Sequence, residues 1–300
     1  MIAKVKNKIT MPSKQASKQA SKQASKQASK QASKQASKQA SKQASKQAKV
    51  IVWALFDSGN GCYTQAAKKF KNIEIYPIGI DIERKNRHFI ELNLADYSRL
   101  FGDKTLFKTL DNLPKPDVIL ASPPCESFSV ASAMWGGNAS WKQENPKGSR
   151  FVIRNRSDYD IQKAKRVIRY EKSFFNRVNG ELCIYNTIEI IKRYQPTVYV
   201  IENPLASRMW SYIADVLDFT IPFDNSTYYG NYDYPVKKPT KFKSNIDLNL
   251  RYINYYAGTR LNDVMKSYNA RSNIPLNLVE EIYQKILKYL AGAEQEKGSE

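Results

Sequence analysis

The chain has 300 residues with 48 Lys plus Arg against 28 Asp plus Glu, a formal net charge of +20, and its length suits one or two domains at about 150 residues each. Its three cysteines, Cys62, Cys125 and Cys183, lack CxxC spacing, and its single histidine is His88. This excludes a disulfide framework, a Cys-rich or multi-histidine metal site, and any Ser-His-Asp or Cys-His centre that does not use His88.

The charge is uneven along the chain: +12 over residues 1–48, +1 over 49–134, +7 over 135–180 and zero over 181–300. Residues 13–48 are SKQA repeated nine times. Lys, Gln and Ala favour a helix, but a four-residue period drifts around the cylinder and leaves no face to bury, while Lys at i and i+4 repel. Residues 1–48 are therefore expected to be a disordered or marginally helical polybasic arm. Two roles are open for it, a salt-dependent tether to nucleic acid and a repeat expansion that adds only solubility. The opening MIAKVKNKITMP lacks the apolar stretch of a signal peptide. The first apolar run, VIVWALF at 50–56, is far shorter than the roughly 20 residues of a membrane span. With the cysteine usage, these features suggest an intracellular protein without a membrane segment.

The folded part is expected over 49–300. VIVWALF reads as a strand, DSGNGC as a turn and TQAAKKF as a helix. IYPIGID reads as a second strand, and DVILASPP as a third that two prolines stop. LCIYNTIEIIKRY has the pattern of an amphipathic helix, and TVYVIENP of a fourth strand. Strands alternating with helices predict an α/β, Rossmann-like domain with a mainly parallel sheet and flanking helices. Ligands of such sheets bind at the carboxyl ends of the strands.

Four strand ends carry unusual residues. The first is Phe56-Asp57-Ser58-Gly59-Asn60-Gly61, where the glycines let backbone approach a ligand. Asp81, about 20 positions after that turn, has the placement of an acid that holds a ribose hydroxyl, which suggests an adenosine-containing cofactor. Asp96 is a second acid for that pocket, with an ordinary surface position as its alternative. The third end is Ala121-Ser122-Pro123-Pro124-Cys125-Glu126-Ser127-Phe128-Ser129, in which stiff backbone presents a thiol on a loop. The fourth is Val200-Ile201-Glu202-Asn203-Pro204, which ends in a carboxylate.

In this order the four ends resemble the cytosine-C5 DNA methyltransferase family, over residues 51–205 and again over 271–290. PPCESFS and IENP are the specific parts, and with KKPTKF they are most similar to the short enzymes of phages and mobile elements. The resemblance implies an S-adenosylmethionine-dependent methyltransferase fold and transfer of a methyl group to C5 of cytosine through a covalent Cys125–C6 adduct. Cys125, Glu202 and Asn203 would be catalytic. The cofactor would be S-adenosyl-L-methionine, held by Phe56, Ser58, Gly59, Gly61, Asp81, Glu83, Asp96, Pro123, Ser272 and Asn273, with no metal. Ser127, Ser129, Arg150, Arg154, Arg156, Lys238 and Lys241 would contact nucleic acid. The implied partner is double-stranded DNA, with a cognate restriction endonuclease as a potential second one. A monomer in the cytoplasm, at the nucleoid of a bacterial or phage-infected cell, is the expected setting.

Four departures from the family pattern shape the expectations. Cys125 and Glu202 lie 77 positions apart, a wide separation that comes from the basic, aromatic block 135–180, which is expected to carry DNA recognition. Residues 230–270 are expected to be a reduced recognition region. The Gln-x-Arg-x-Arg segment has no literal copy, and Lys237-Lys238-Pro239-Thr240-Lys241 is the nearest basic substitute. In the closing segment Arg271-Ser272 replaces the usual Gly-Asn. Methylation of tRNA is an alternative substrate reading, and a nucleic-acid-binding protein of the same fold with impaired catalysis is the non-enzymatic one.

Overall fold

The computed structural model describes residues 49–80, 88–130, 141–143, 151–160, 170–253 and 272–297. All of them lie in the unit Lys49–Glu300. The expected arm at 1–48 falls outside them, as do Asp81, Glu83, Arg150 and Arg271.

In chain order the elements are β1 (Val50–Leu55), α1 (Cys62–Ala67), β2 (Ile73–Gly79), β3 (Ile90–Glu91), α2 (Thr105–Asp111), β4 (Val118–Ala121), β5 (Trp141–Gln143), β6 (Phe151–Ile153), α3 (Arg156–Asp160), α4 (Tyr170–Tyr194), β7 (Val198–Pro204), β8 (Phe223–Tyr228), β9 (Pro239–Ser244) and α5 (Leu276–Lys297). Seven strands form one sheet in the order β3-β2-β1-β4-β7-β9-β8. β1 pairs in parallel with β2 and β4, β2 with β3, and β4 with β7, whereas β9 runs antiparallel between β7 and β8. The expected α/β class with a mainly parallel sheet and flanking helices is therefore present. The strand order reverses between β1 and β4, which opens a crevice at their carboxyl ends.

Both faces of the central strands are covered, which is why they read as unbroken apolar runs without alternation. Val52, Ala54, Val118, Leu120, Val198 and Val200 face α1 and α5, packing with Leu278, Ile282 and Tyr283. Trp53, Leu55, Ile119, Ala121 and Ile201 face α2 and α4, packing with Leu106, Leu110, Ile184 and Ile188.

Two regions expected to take part in recognition have these forms. The block 135–180 is described in part. Its described parts are the antiparallel β5–β6 hairpin, α3 and the first turns of α4, which begins at Tyr170 and so extends well ahead of the periodic stretch 182–194. Of the expected recognition region 230–270, residues 230–253 form part of the sheet and its core. They contain β9, and Val236, Phe242, Ile246, Leu248 and Leu250 are buried. Buried polar groups fasten the segment after β9 along β8: Asn225 Nδ2 donates to Phe242 O (3.0 Å), Leu248 N donates to Asn225 Oδ1 (2.7 Å), and Thr227 Oγ1 donates to Arg251 O (2.6 Å). Residues 254–270 lie outside the described residues.

Candidate functional site

The first strand end is organised by Asp57, a buried acid that sequence reasoning passed over. Its Oδ1 accepts the amides of Gly59 (2.8 Å) and Gly61 (3.0 Å), and its Oδ2 accepts that of Thr64 (3.3 Å). Burial raises the Asp57 pKa, and these bonds offset part of the rise. A Cβ on Gly61 would stand 2.7 Å from Asp57 Oδ2. The glycine is thus required for room above a buried carboxylate as well as for approach to a ligand. Phe56 sits at φ 66°, a left-handed conformation rare for a bulky residue, of a kind that collects at ligand sites.

This turn forms one wall of a cavity of about 480 Å³ at the β1/β4 crevice. Phe56, Ser58 and Gly61 line it, and Ile80, Leu92 and Asn93 follow from the ends of β2 and β3. Ser272 and Asn273, more than 200 residues from Phe56 in sequence, close it. It reaches Ser122, Pro124 and Glu126, on both sides of Cys125. Five of the proposed cofactor residues, Phe56, Ser58, Gly61, Ser272 and Asn273, are thereby brought together. Gly59 and Pro123 sit behind neighbours that line the wall. Asp96 is not in the wall, although Leu94 and Ala95 are. Its Oδ1 accepts Ser98 N (3.2 Å), and its backbone oxygen accepts Asn186 Nδ2 (2.8 Å) from α4, so it shapes a turn behind the cavity.

The third strand end holds Cys125 half-buried. Burial pushes its thiol up to about 11, the nearby Glu202 charge adds to the rise, and the Lys238 ammonium opposes it. Glu202, at the end of β7, is 7 % exposed. Burial raises its pKa, while Lys238, Ser122 and Tyr229 counter the rise by charge and hydrogen bonding. Tyr229 Oη donates to Glu202 Oε1 at 3.3 Å. Burial in turn lowers the Lys238 pKa, against the pull of Glu202, Cys125 and Cys62. Thiol, carboxyl and ammonium therefore share one electrostatic environment, although they lie far apart in sequence. Antiparallel pairing places them there, because Glu202 sits opposite Phe242 and Asn203 opposite Lys241, which carries the start of β9 past the end of β7. Asn203, 1 % exposed, donates Nδ2 to Pro123 O at 2.9 Å and so straps the Pro-Pro-Cys loop to β7.

Neither a family model nor a curated protein matches this chain.

The proposed nucleic-acid contacts divide into buried and exposed residues. Ser127 is buried at 2 % exposure against α4, where only Gly180 leaves it room, since a Cβ there would overlap its Oγ. It packs the loop and does not face solvent. Arg154 is also buried, with its charge near Asp158. Lys241 pairs with Asp224 at 2.6 Å. Lys238 Nζ lies 4.5 Å over the Tyr229 ring, and its charge is felt by Glu202 and Cys125. Ser129 is half-buried. Arg156 is exposed, with its guanidinium 5.0 Å from the Tyr170 ring. Trp141, expected to stack on bases, packs on Phe128 and Tyr212 at 6.4 Å each. Phe174 and Phe175 on α4 do reach the surface. His88 lies beside Tyr76 and Glu74, away from the cavity.

Proposed function

We propose that the chain is an S-adenosylmethionine-dependent cytosine-C5 methyltransferase that acts on DNA. The observation that carries this reading is the meeting of Cys125, Glu202 and Lys238 at the carboxyl ends of β4 and β7, beside a cavity built at the strand-order switch point. No helix among the described residues is long and apolar enough to cross a membrane.

The cavity suits the cofactor. Its volume falls within the roughly 300–1,000 Å³ of small-ligand sites. Phe56 and Ile80 offer apolar surface for adenine, and Asn60, Asn93 and Asn273 offer polar groups for the sugar and amino-acid parts. Phe56, Ser58, Gly61, Ser272 and Asn273 would hold the cofactor, with Asp81 or Glu83 at the ribose. S-adenosylmethionine supplies an electrophilic methyl group when bound.

The chain's own work is to make C5 of cytosine nucleophilic. The Cys125 thiolate adds to C6, forming the S–C6 bond, and the C5–C6 π pair moves onto C5 and into the ring. In its protonated form, which burial favours, Glu202 donates toward N3 and its second oxygen accepts from the exocyclic amine, offsetting that charge. Lys238 stabilises the thiolate before attack and after release. Once C5 carries the methyl group, a water molecule takes the C5 proton, the C–H electron pair restores the C5–C6 double bond, and the S–C6 pair returns to Cys125 as thiolate. The base must first leave the duplex, at a cost of a few kcal/mol by the usual unpairing and unstacking scale.

Wild-type protein is expected to transfer tritiated methyl from S-adenosylmethionine to DNA, and Cys125→Ser to lose more than about 10³-fold of that rate. Equal incorporation by the two would remove Cys125 as the nucleophile. 5-Fluorocytosine DNA should trap wild type, and not Cys125→Ser, as a complex that survives denaturation. Competition between duplex DNA and tRNA for the methyl group assigns the substrate.

A further inference from the structure

Three separate segments bring hydroxyls to the Glu202 site. Tyr63 Oη, from α1, lies 2.8 Å from Ser122 Oγ at the end of β4. Ser122 follows Ala121, which pairs with Ile201, so it stands beside Glu202 at the strand ends and its hydroxyl counters the rise in the Glu202 pKa; Tyr229 Oη reaches Glu202 Oε1 from the turn after β8. Tyr63, Glu202 and Tyr229 are buried, whereas Ser122 is half-buried and lines the cavity. A serine hydroxyl has one proton to give, and an ionised carboxylate can only accept. When Glu202 is ionised, Ser122 therefore donates to it and accepts from Tyr63. The order of donation is Tyr63 to Ser122 to Glu202, and each bond polarises the next.

We propose that Tyr63 and Ser122 are positioning residues, which fix the Glu202 carboxyl at the Cys125 loop in the orientation that receives the cytosine edge. This rests on the methyltransferase reading and deepens it. Neither residue need touch the base. Tyr63 is buried and bonded to Ser122, so its hydrogen-bonding effect reaches the carboxyl through the serine. Ser122 stands between cofactor cavity and base site, so one hydroxyl ties the two together. The titratable groups facing Glu202 are Lys238 before β9, Cys125 after β4, Cys62 and Tyr63 on α1, and Tyr229 after β8.

The test reads the carboxyl directly and then turnover, with full-length protein. Glu202 is titrated by ¹³C NMR of labelled glutamate carboxyls, its signal assigned by loss in Glu202→Gln. Ser122→Ala should raise its midpoint by about one pH unit and Tyr63→Phe by about half as much, the double variant should match Ser122→Ala, and Ser122→Thr should stay near wild type. Methyl transfer at saturating DNA should fall about tenfold in Ser122→Ala and in Tyr63→Phe with KM for DNA within about twofold, as expected for a group that acts in the transition state. An unmoved midpoint in Ser122→Ala, or Tyr63→Phe and Ser122→Ala effects that add in full, overturns the hydroxyl chain. Shifted midpoints with unchanged turnover overturn its positioning role. Wild-type protein that forms no adduct with 5-fluorocytosine DNA overturns the methyltransferase reading, and with it the purpose assigned to the chain.

Discussion

With its thiol pushed up to about 11, Cys125 is almost wholly protonated at neutral pH. Burial and the Glu202 charge hold the proton on, and Lys238 works against them. Alkylation of Cys125 by iodoacetamide, followed by mass spectrometry, should accelerate about tenfold per pH unit from 7 to 10, since only the thiolate reacts. At pH 8 Lys238→Met should slow it several-fold and Glu202→Gln should speed it, each about in proportion to the change in thiolate fraction. The same burial makes Glu202 costly to ionise. Its folded-state pKa lies above the unfolded one, so wild type loses stability relative to Glu202→Gln as pH rises through the folded value. The Gln variant should gain about 1 kcal/mol near pH 8, seen as a rise in Tm of about 2–4 °C in a chain of this size. The gain should vanish below about pH 4, where the carboxyl is protonated whether folded or not. Local pattern was enough to single out Cys125 and Glu202, because each ends a recognisable strand. It did not reveal Tyr63, Ser122 or Tyr229 as their partners. Tyrosines and serines are common in this chain, and only register and packing decide which of them meet.

At the scale of elements, the turn after β1 shows how a familiar pattern can hide a second cause. Gly61 was expected to make way for a ligand, yet its missing Cβ also makes room for the buried Asp57 carboxylate that collects three amides. Gly61→Ala should therefore lower stability by about 1–3 kcal/mol in urea unfolding even without any cofactor. A purely ligand-clearing glycine would leave the apo protein unchanged. β9 is the other decisive element. Its residues read in sequence as a basic segment suited to phosphates, but as an antiparallel strand beside β7 it aims Lys238 at Glu202 and ties Lys241 to Asp224. Trp141 lies in the block 135–180 that was expected to carry DNA recognition. The ring instead anchors the hairpin to Phe128 and Tyr212, because a large aromatic beside exposed core surface gains more by burial than by waiting for a base.

For the whole molecule, charge and chemistry are divided. The segments that carry Cys125, Glu202 and Lys238 are close to neutral in sequence, while basic charge is concentrated in residues 1–48 and 135–180. Deleting residues 1–48 should weaken DNA binding uniformly across sequences and flatten its dependence on salt, with single-turnover methyl transfer retained; binding isotherms at several salt concentrations check this. The sequence by itself determined the α/β class, the strand ends with unusual residues and the two basic blocks. Those features follow from local hydrophobic pattern, turn residues and composition, which act over a few residues at a time. Only the tertiary structure decided that 230–253 belongs to the sheet, that Ser127 is packing, that Ser272 and Asn273 close a cavity opened by Phe56, and that Lys238 joins Cys125 and Glu202. Each of these depends on contacts between segments distant in the chain. Strand order and register select such contacts, and no short window of sequence encodes either.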